Sequence, residues 1–217
     1  MRRSSPDQLN LFGRGEGSAL AKLSQRADHT PSGAWNSYFF AVVPPPDAAR
    51  SIDLLGRRLR QSMALRGELI GPDRYHVSLG GLGAPGEAPR GLVDLLKQIG
   101  ASVAAPAFDV VFDHIAWFGG SYGKRALVLA SSYTLPALAS LQMQLHDAMQ
   151  VANLPDDERF NPHITMLYEK RPAPLAETPR VSFTVRDFVL IRSVHGESRH
   201  DHLERWPLSG GRLSAPA

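Results

Sequence analysis

The sequence predicts an α+β fold built from two similar lobes, and three observations carry that expectation. Segments with strand-like alternation and segments with helical spacing of apolar residues follow one another along the chain. The order strand, helix, strand precedes each of two short strings, Tyr75-His76-Val77-Ser78-Leu79 and Pro162-His163-Ile164-Thr165-Met166. Each string sets a histidine two residues before a hydroxyl, with apolar residues at the alternate positions. Side chains at i and i+2 of a strand share a face. His76 and Ser78 are therefore expected on one face, with Val77 and Leu79 in a core. His163 and Thr165 repeat the arrangement over Ile164 and Met166. One imidazole and one hydroxyl from each lobe would meet across a cleft.

Taken in order, residues 1–36 are rich in Arg, Ser, Gly and Asp, lack a sustained apolar period, and read as a disordered tail. Ser37 to Val43 is an aromatic and β-branched run, the pattern of a buried strand. Asp47 is placed to cap a helix whose apolar face is Ala48, Ile52, Leu55 and Leu59. The first motif strand is expected from Arg74 to Leu82, and a helix from Pro89 to Val103 with Leu92, Leu95, Leu96 and Ile99 on one face. Phe108 to Phe118 reads as one long strand and Ala126 to Ala130 as another. Gly119-Gly120-Ser121-Tyr122-Gly123-Lys124 joins them as a hairpin; its spacing and the Arg125 that follows do not fit a phosphate loop. Leu135 to Val151 is helical through Leu138, Leu141, Leu145 and Met149. The second motif strand follows, then a loop from Arg171 to Pro179, a strand from Val181 to Val194 and a closing strand near His202 to Leu208. The folded domain is thus expected over 37–208, with a C-terminal tail over 209–217.

Composition narrows the classes. Hydrophobic content of 43% and charged content of 21% fit a soluble globular chain. No apolar run approaches membrane-spanning length and the N-terminus lacks a secretory core, so a cytoplasmic protein is expected. Cysteine is absent, which excludes disulfides, thiolate nucleophiles and cysteine zinc sites. Of the net charge of +3, the tail carries +2, from Arg2, Arg3, Arg14, Lys22 and Arg26 against Asp7, Glu16 and Asp28. A near-neutral body argues against extended duplex binding, which needs many phosphate contacts, but suits recognition of a single RNA end.

The paired H-x-[S/T]-apolar strings resemble the 2H phosphoesterase superfamily, and within it the RNA 2′,3′-cyclic phosphodiesterase and 2′-5′ RNA ligase (LigT-like) family. Tyr38-Phe39-Phe40-Ala41-Val42-Val43 followed by Pro44-Pro45-Pro46 is similar to that family's opening strand and turn. Phe160-Asn161-Pro162-His163-Ile164-Thr165 resembles its second motif, and His202-Leu203-Glu204-Arg205-Trp206-Pro207-Leu208 its closing strand. The chain differs in Ser78 where many members have Thr, in Gly80, Gly81 and Gly83, and in His202 where an aromatic is usual. The resemblance implies a bilobal fold of two antiparallel sheets flanked by helices, around a central cleft with pseudo-twofold symmetry. It implies no cofactor and a monomer.

The chemistry follows from the residue types. Opening a 2′,3′-cyclic phosphate moves one proton from water and one onto the leaving ribose oxygen, and imidazoles serve both near neutrality. Spacing leaves the two roles open; the resemblance implies His76 as proton donor and His163 as base. Ser78 and Thr165 are candidate donors to the charged transition state, with cross-strand hydrogen bonding the rival for each. No metal is required. Reversal would give 2′-5′ RNA ligation.

Phe160, Tyr75 and Trp117 could stack on a base, with core packing the preferred reading for Trp117. Arg74, Lys124, Arg125 and Lys170 could hold phosphate, although solvated edges commonly carry such charges. His195, His200 and His202 lack a supporting carboxylate pattern, so a surface strand end is preferred to a metal site. In the tail, Gln8-Leu9-Asn10-Leu11-Phe12 resembles the bacterial sliding-clamp binding pentapeptide, with Gln8, Leu9, Leu11 and Phe12 as the contacts. Two rivals stand beside the RNA-end phosphodiesterase. One acts on another cyclic or 2′-5′ nucleotide; the other is a catalytically weak RNA-binding or clamp-recruited accessory protein.

Overall fold

A computed structural model describes residues 35–85, 88–119, 123–156, 160–175, 179–194 and 196–213. The clamp-like pentapeptide and His195 lie outside the described residues. The aromatic run forms β1 (Trp35–Val42). Its side chains alternate: Tyr38, Phe40 and Val42 enter the main core, while Phe39 and Ala41 join Val189 and Ile191 on the opposite face. α1 (Pro46–Ser62) follows and buries Ala48, Ile52, Leu55 and Leu59, as their spacing predicts. It starts earlier than expected. Pro45 is the extended residue ahead of it and Pro46 supplies a helical φ, so Asp47 sits in the first turn instead of capping. There its charge complements the positive end of the helix.

The first motif strand also begins later than the pattern suggests. Pro72–Arg74 coil into a 3-10 turn, so β2 runs Val77–Pro85 and His76 stands just ahead of it. α2 (Leu92–Ser102) buries Leu92, Leu96 and Ile99, with Leu95 half-buried against the same core.

The stretches 108–118 and 181–194 each read as one strand and each prove to be two. β3 (Pro106–Phe112) gives way at Asp113 to β4 (His114–Gly119). β7 (Val181–Val185) gives way at Arg186 to β8 (Asp187–Val194). Asp113 donates its N–H to the carbonyl of Ala130 at 2.9 Å and accepts the N–H of Ser132 on its carboxylate at 2.7 Å. The carbonyl of Arg186 accepts the N–H of Leu208 at 2.8 Å. Each corner moves the chain into a different sheet.

The remaining elements are β5 (Arg125–Ala130), α3 (Pro136–Val151), β6 (His163–Glu169), β9 (Arg199–Pro207) and β10 (Ser209–Leu213). β4 and β5 are antiparallel neighbours, consistent with the hairpin reading of their connection. α3 buries Leu138, Leu141, Leu145 and Met149. The expected tail from 209 is corrected: β10 pairs in parallel with β3, and the Ser209 N–H reaches the Ala105 carbonyl at 2.9 Å.

Two antiparallel sheets result, with strand orders β2-β1-β8-β9 and β4-β5-β6, flanked by helices in an α+β fold. A smaller mixed sheet, β10-β3-β7, accompanies them. One apolar core draws on both antiparallel sheets and on α1, α2 and α3, through Phe40, Leu79, Phe188, Leu127, Ile164, Ile52, Leu96 and Leu141 among others. Each of these antiparallel sheets also has a small apolar patch on its other face. Ala41, Val189 and Ile191 with Phe39 form one, and Ala126, Val128 and Ala130 with Phe118 form the other.

Candidate active site

Both motifs lie on edge strands, β2 in one antiparallel sheet and β6 in the other. Each strand bulges at the same point. Ser78 pairs with Ala41 and Gly80 with Phe40, leaving Leu79 extra; Thr165 pairs with Val128 and Leu167 with Leu127, leaving Met166 extra. A bulge sharpens strand twist and re-aims the neighbouring side chains. Here it falls three residues after each histidine, which is the backbone form of the pseudo-twofold relation.

The histidines are held alike. His76 donates its Nδ1–H to the carbonyl of Arg74 at 2.8 Å, and His163 donates its own to the carbonyl of Asn161 at 2.7 Å. A carbonyl only accepts, so each Nδ1 carries the proton and each neutral ring keeps its lone pair on Nε2. A phenylalanine backs each ring: Phe39 lies 5.0 Å from His76 and Phe118 lies 4.9 Å from His163, between ring centroids. β2 and β6 touch, and the charge of His163 acts on His76, so the two imidazoles share one space. Burial pushes His76 below the ordinary imidazole range; its bond to Arg74 opposes this, while His163, the Arg74 side chain and His202 add to it. Ser78 is exposed and Thr165 half-buried, over buried Val77, Leu79, Ile164 and Met166.

A third histidine joins this group. The His200 ring packs edge-on to His76 at 5.1 Å and lies 5.7 Å from Phe39. Burial first, then the charge of His76, brings His200 down to about 4. His202 is lowered too, mainly by burial and next by Arg205. Among the described residues no group of three His or carboxylate side chains is arranged to hold a metal.

Tyr75 is corrected as a stacking candidate. Its ring is 1% exposed and its hydroxyl donates to Asp53 at 3.3 Å, so no face is open to a base. Burial, and next the Asp53 carboxylate, raise its phenol well above the usual range. Trp117 packs against the core and donates its indole N–H to the Ala173 carbonyl at 2.8 Å. Phe160 is half-buried against the same core. Lys124, Arg125 and Lys170 are exposed.

Two carboxylates without any local sequence signal tie the motifs together. Asp156, from the segment ahead of β6, accepts the Gly81 N–H at 3.0 Å and contacts His146 Nδ1 at 3.1 Å. Its side chain is 1% exposed. This clasp explains the glycines after the first motif. Gly80 has φ +140, and a Cβ there would stand 2.9 Å from the Asp156 carboxylate; at Gly81 it would stand 2.4 Å from Phe39 Cβ and the Tyr38 carbonyl. Glu169, ending β6, accepts backbone N–H groups of Arg66 at 2.6 Å, Gly67 at 2.9 Å, Lys170 at 2.7 Å and Arg171 at 3.1 Å. These bonds, led by Arg171 and Gly67, hold its carboxyl down to about 2. The segment leading to His76 is thereby fastened to the strand that carries His163. Ile70 adds an N–H to the Met166 carbonyl at 2.8 Å.

No curated protein sequence matches the chain. Solved structures match its fold. E. coli LigT in its apo form is 22% identical with a TM-score of 0.66, over 82% of this chain and 99% of that one. A structure described as a phosphoesterase is 22% identical with a TM-score of 0.65, over 80% and 98%. TT0787 of Thermus thermophilus is 21% identical with a TM-score of 0.63, over 80% of this chain and 98% of that one. The sequence model of the 2′-5′ RNA ligase superfamily matches residues 44–197, a span that holds both histidine motifs, both bulges and both clasps. The chain therefore belongs to the 2′-5′ RNA ligase superfamily, the LigT-like branch of the 2H phosphoesterases.

Proposed function

We propose that this protein opens RNA 2′,3′-cyclic phosphate ends to 2′-phosphates, without a metal. The observation that carries the reading is the matched pair of imidazoles, each fixed in one tautomer by the carbonyl two residues before it. Water attacks phosphorus opposite O3′, and His163 takes the water proton at Nε2 as the new P–O bond forms. The P–O3′ bond breaks with its electron pair on O3′, which takes a proton from His76. The phosphate stays on O2′, and the two imidazoles have exchanged protonation states. Ser78 and Thr165 donate to the non-bridging oxygens, where charge gathers in the transition state.

Burial disfavours the proton on His76 in the free site. An anionic phosphate beside the ring reverses that preference, since an opposite charge within a few ångströms favours the charged form. The donor is thus armed by the substrate.

The test is incubation with a short RNA ending in 2′,3′-cyclic phosphate, in EDTA, with identification of the product. The expected product is a 2′-phosphate, with His76→Ala and His163→Ala each slowing turnover by about 10²–10⁴. Near-normal turnover in either variant, or no product from folded wild type, refutes the reading.

A further inference from the structure

The two halves of the site match at the histidine, its carbonyl acceptor, its phenylalanine and its bulge. They differ in what else surrounds the ring. Two residues before His163 stands neutral Asn161; two before His76 stands Arg74. The Arg74 Nε is buried and makes no hydrogen bond among the described residues. The carboxylates that act on His200 and His202 are engaged elsewhere: Asp201 with Arg192 and Arg199, and Asp187 with Arg205. β9 packs on the 3-10 turn that carries Arg74, and His200 from β9 closes against His76. The charge of Arg74 reaches both His76 and His200. A partly buried guanidinium with no counter-charge among the described residues is costly, and the planar fork of arginine suits a phosphate.

In-line opening puts water and ribose on opposite sides of phosphorus. With His76 protonating O3′, the ribose, and through its O5′ the rest of an RNA chain, lies on the His76 side. The unmatched cation lies on that same side. Resting on the activity proposed above, we propose that Arg74 binds the phosphate one nucleotide upstream of the reacting one. The substrate is then an RNA chain end and not a mononucleotide. The site has a polarity: the chain leaves over the β2 and β9 side, and water arrives from the β6 side.

Three substrates test this: cytidine 2′,3′-cyclic monophosphate, a dinucleotide ending in the same cyclic phosphate, and that dinucleotide with its internal linkage replaced by an uncharged methylphosphonate. Wild type should prefer the charged dinucleotide about 10-fold in kcat/KM, mainly through KM, and should treat the methylphosphonate like the mononucleotide. R74Q should collapse the preference to within about 2-fold and lower the salt dependence by about one ion. R74K, as a point charge, should keep part of it. Equal use of all three substrates by wild type overturns the proposal without touching the phosphodiesterase reading. So does an equal loss on mononucleotide and dinucleotide in a folded R74Q. Turnover of none of them by folded wild type defeats the underlying activity, and this inference falls with it.

Discussion

Asp156 accepts the backbone N–H of Gly81, so the segment ahead of the second histidine grips the strand behind the first. The bond spans 75 positions of sequence and is completed by His146 on the far oxygen.

Asp156→Ala leaves a half-buried N–H and an imidazole without their acceptor. Each such loss costs about 1–3 kcal/mol, so urea unfolding should show a deficit of about 2–4 kcal/mol. Asp156→Asn, which keeps an acceptor for Gly81, should recover about half. Gly81→Ala forces a Cβ into backbone and should be at least as damaging as Asp156→Ala. A wild-type midpoint in Asp156→Ala would show that the clasp is idle.

His76 should titrate below 6.5 in the free protein, because burial outweighs its bond to Arg74. Saturating inorganic phosphate should move that midpoint upward, by the sign of an anion beside an imidazole. Two-dimensional NMR of the histidine side chains reads both midpoints. A midpoint that stays put, or falls, would separate His76 from the phosphate.

Glu169→Gln replaces two acceptor lone pairs by N–H donors that face the backbone amides of the nest. The expected loss at pH 7 is about 2–4 kcal/mol. The folded carboxyl sits at about 2 against an ordinary 4.5. Its contribution is therefore present above pH 4.5 and fades as pH falls toward 2. The gap between wild type and Glu169→Gln should narrow over that window, as followed by chemical denaturation at stepped pH.

His200 also loses stability toward acid, in a higher pH window. Its folded value of about 4 lies below the ordinary 6.5, so the unfolded chain takes the proton first and stability falls as pH drops between those values. His200→Phe keeps an aromatic against His76 and removes this titration. Between pH 7 and 5 the wild type should lose about 1 kcal/mol more than His200→Phe, allowing for solvent screening. Parallel losses in the two proteins would discard the assignment.

The parts of the molecule legible in the sequence are those fixed by neighbours within one element. Ile52, Leu55 and Leu59 share a helical face, as do Leu138, Leu141, Leu145 and Met149, because 3.6-residue spacing alone puts them there. The motif strands alternate for a similar local reason. Asp113 and Arg186 were illegible as corners, since a polar residue inside an apolar alternation also fits an ordinary solvated strand position. α1 starts two residues ahead of the helix that Asp47 would cap, because Pro45 and Pro46 outweigh the capping preference of Asp47. Asp156, Glu169 and His200 had no local signature. The partners that make them matter to the site lie 75 to 124 positions away (Gly81, Gly67 and Arg66, His76), and a lone carboxylate or histidine says nothing of what the fold will bring to it from that distance.

The core that threads both antiparallel sheets has a mechanical consequence. Spreading the two histidines apart would tear side chains such as Leu79 and Ile164 from a common packing, so the molecule makes a poor hinge. Recognition then resembles a key entering a cast lock, with little of the binding energy diverted into reshaping the protein.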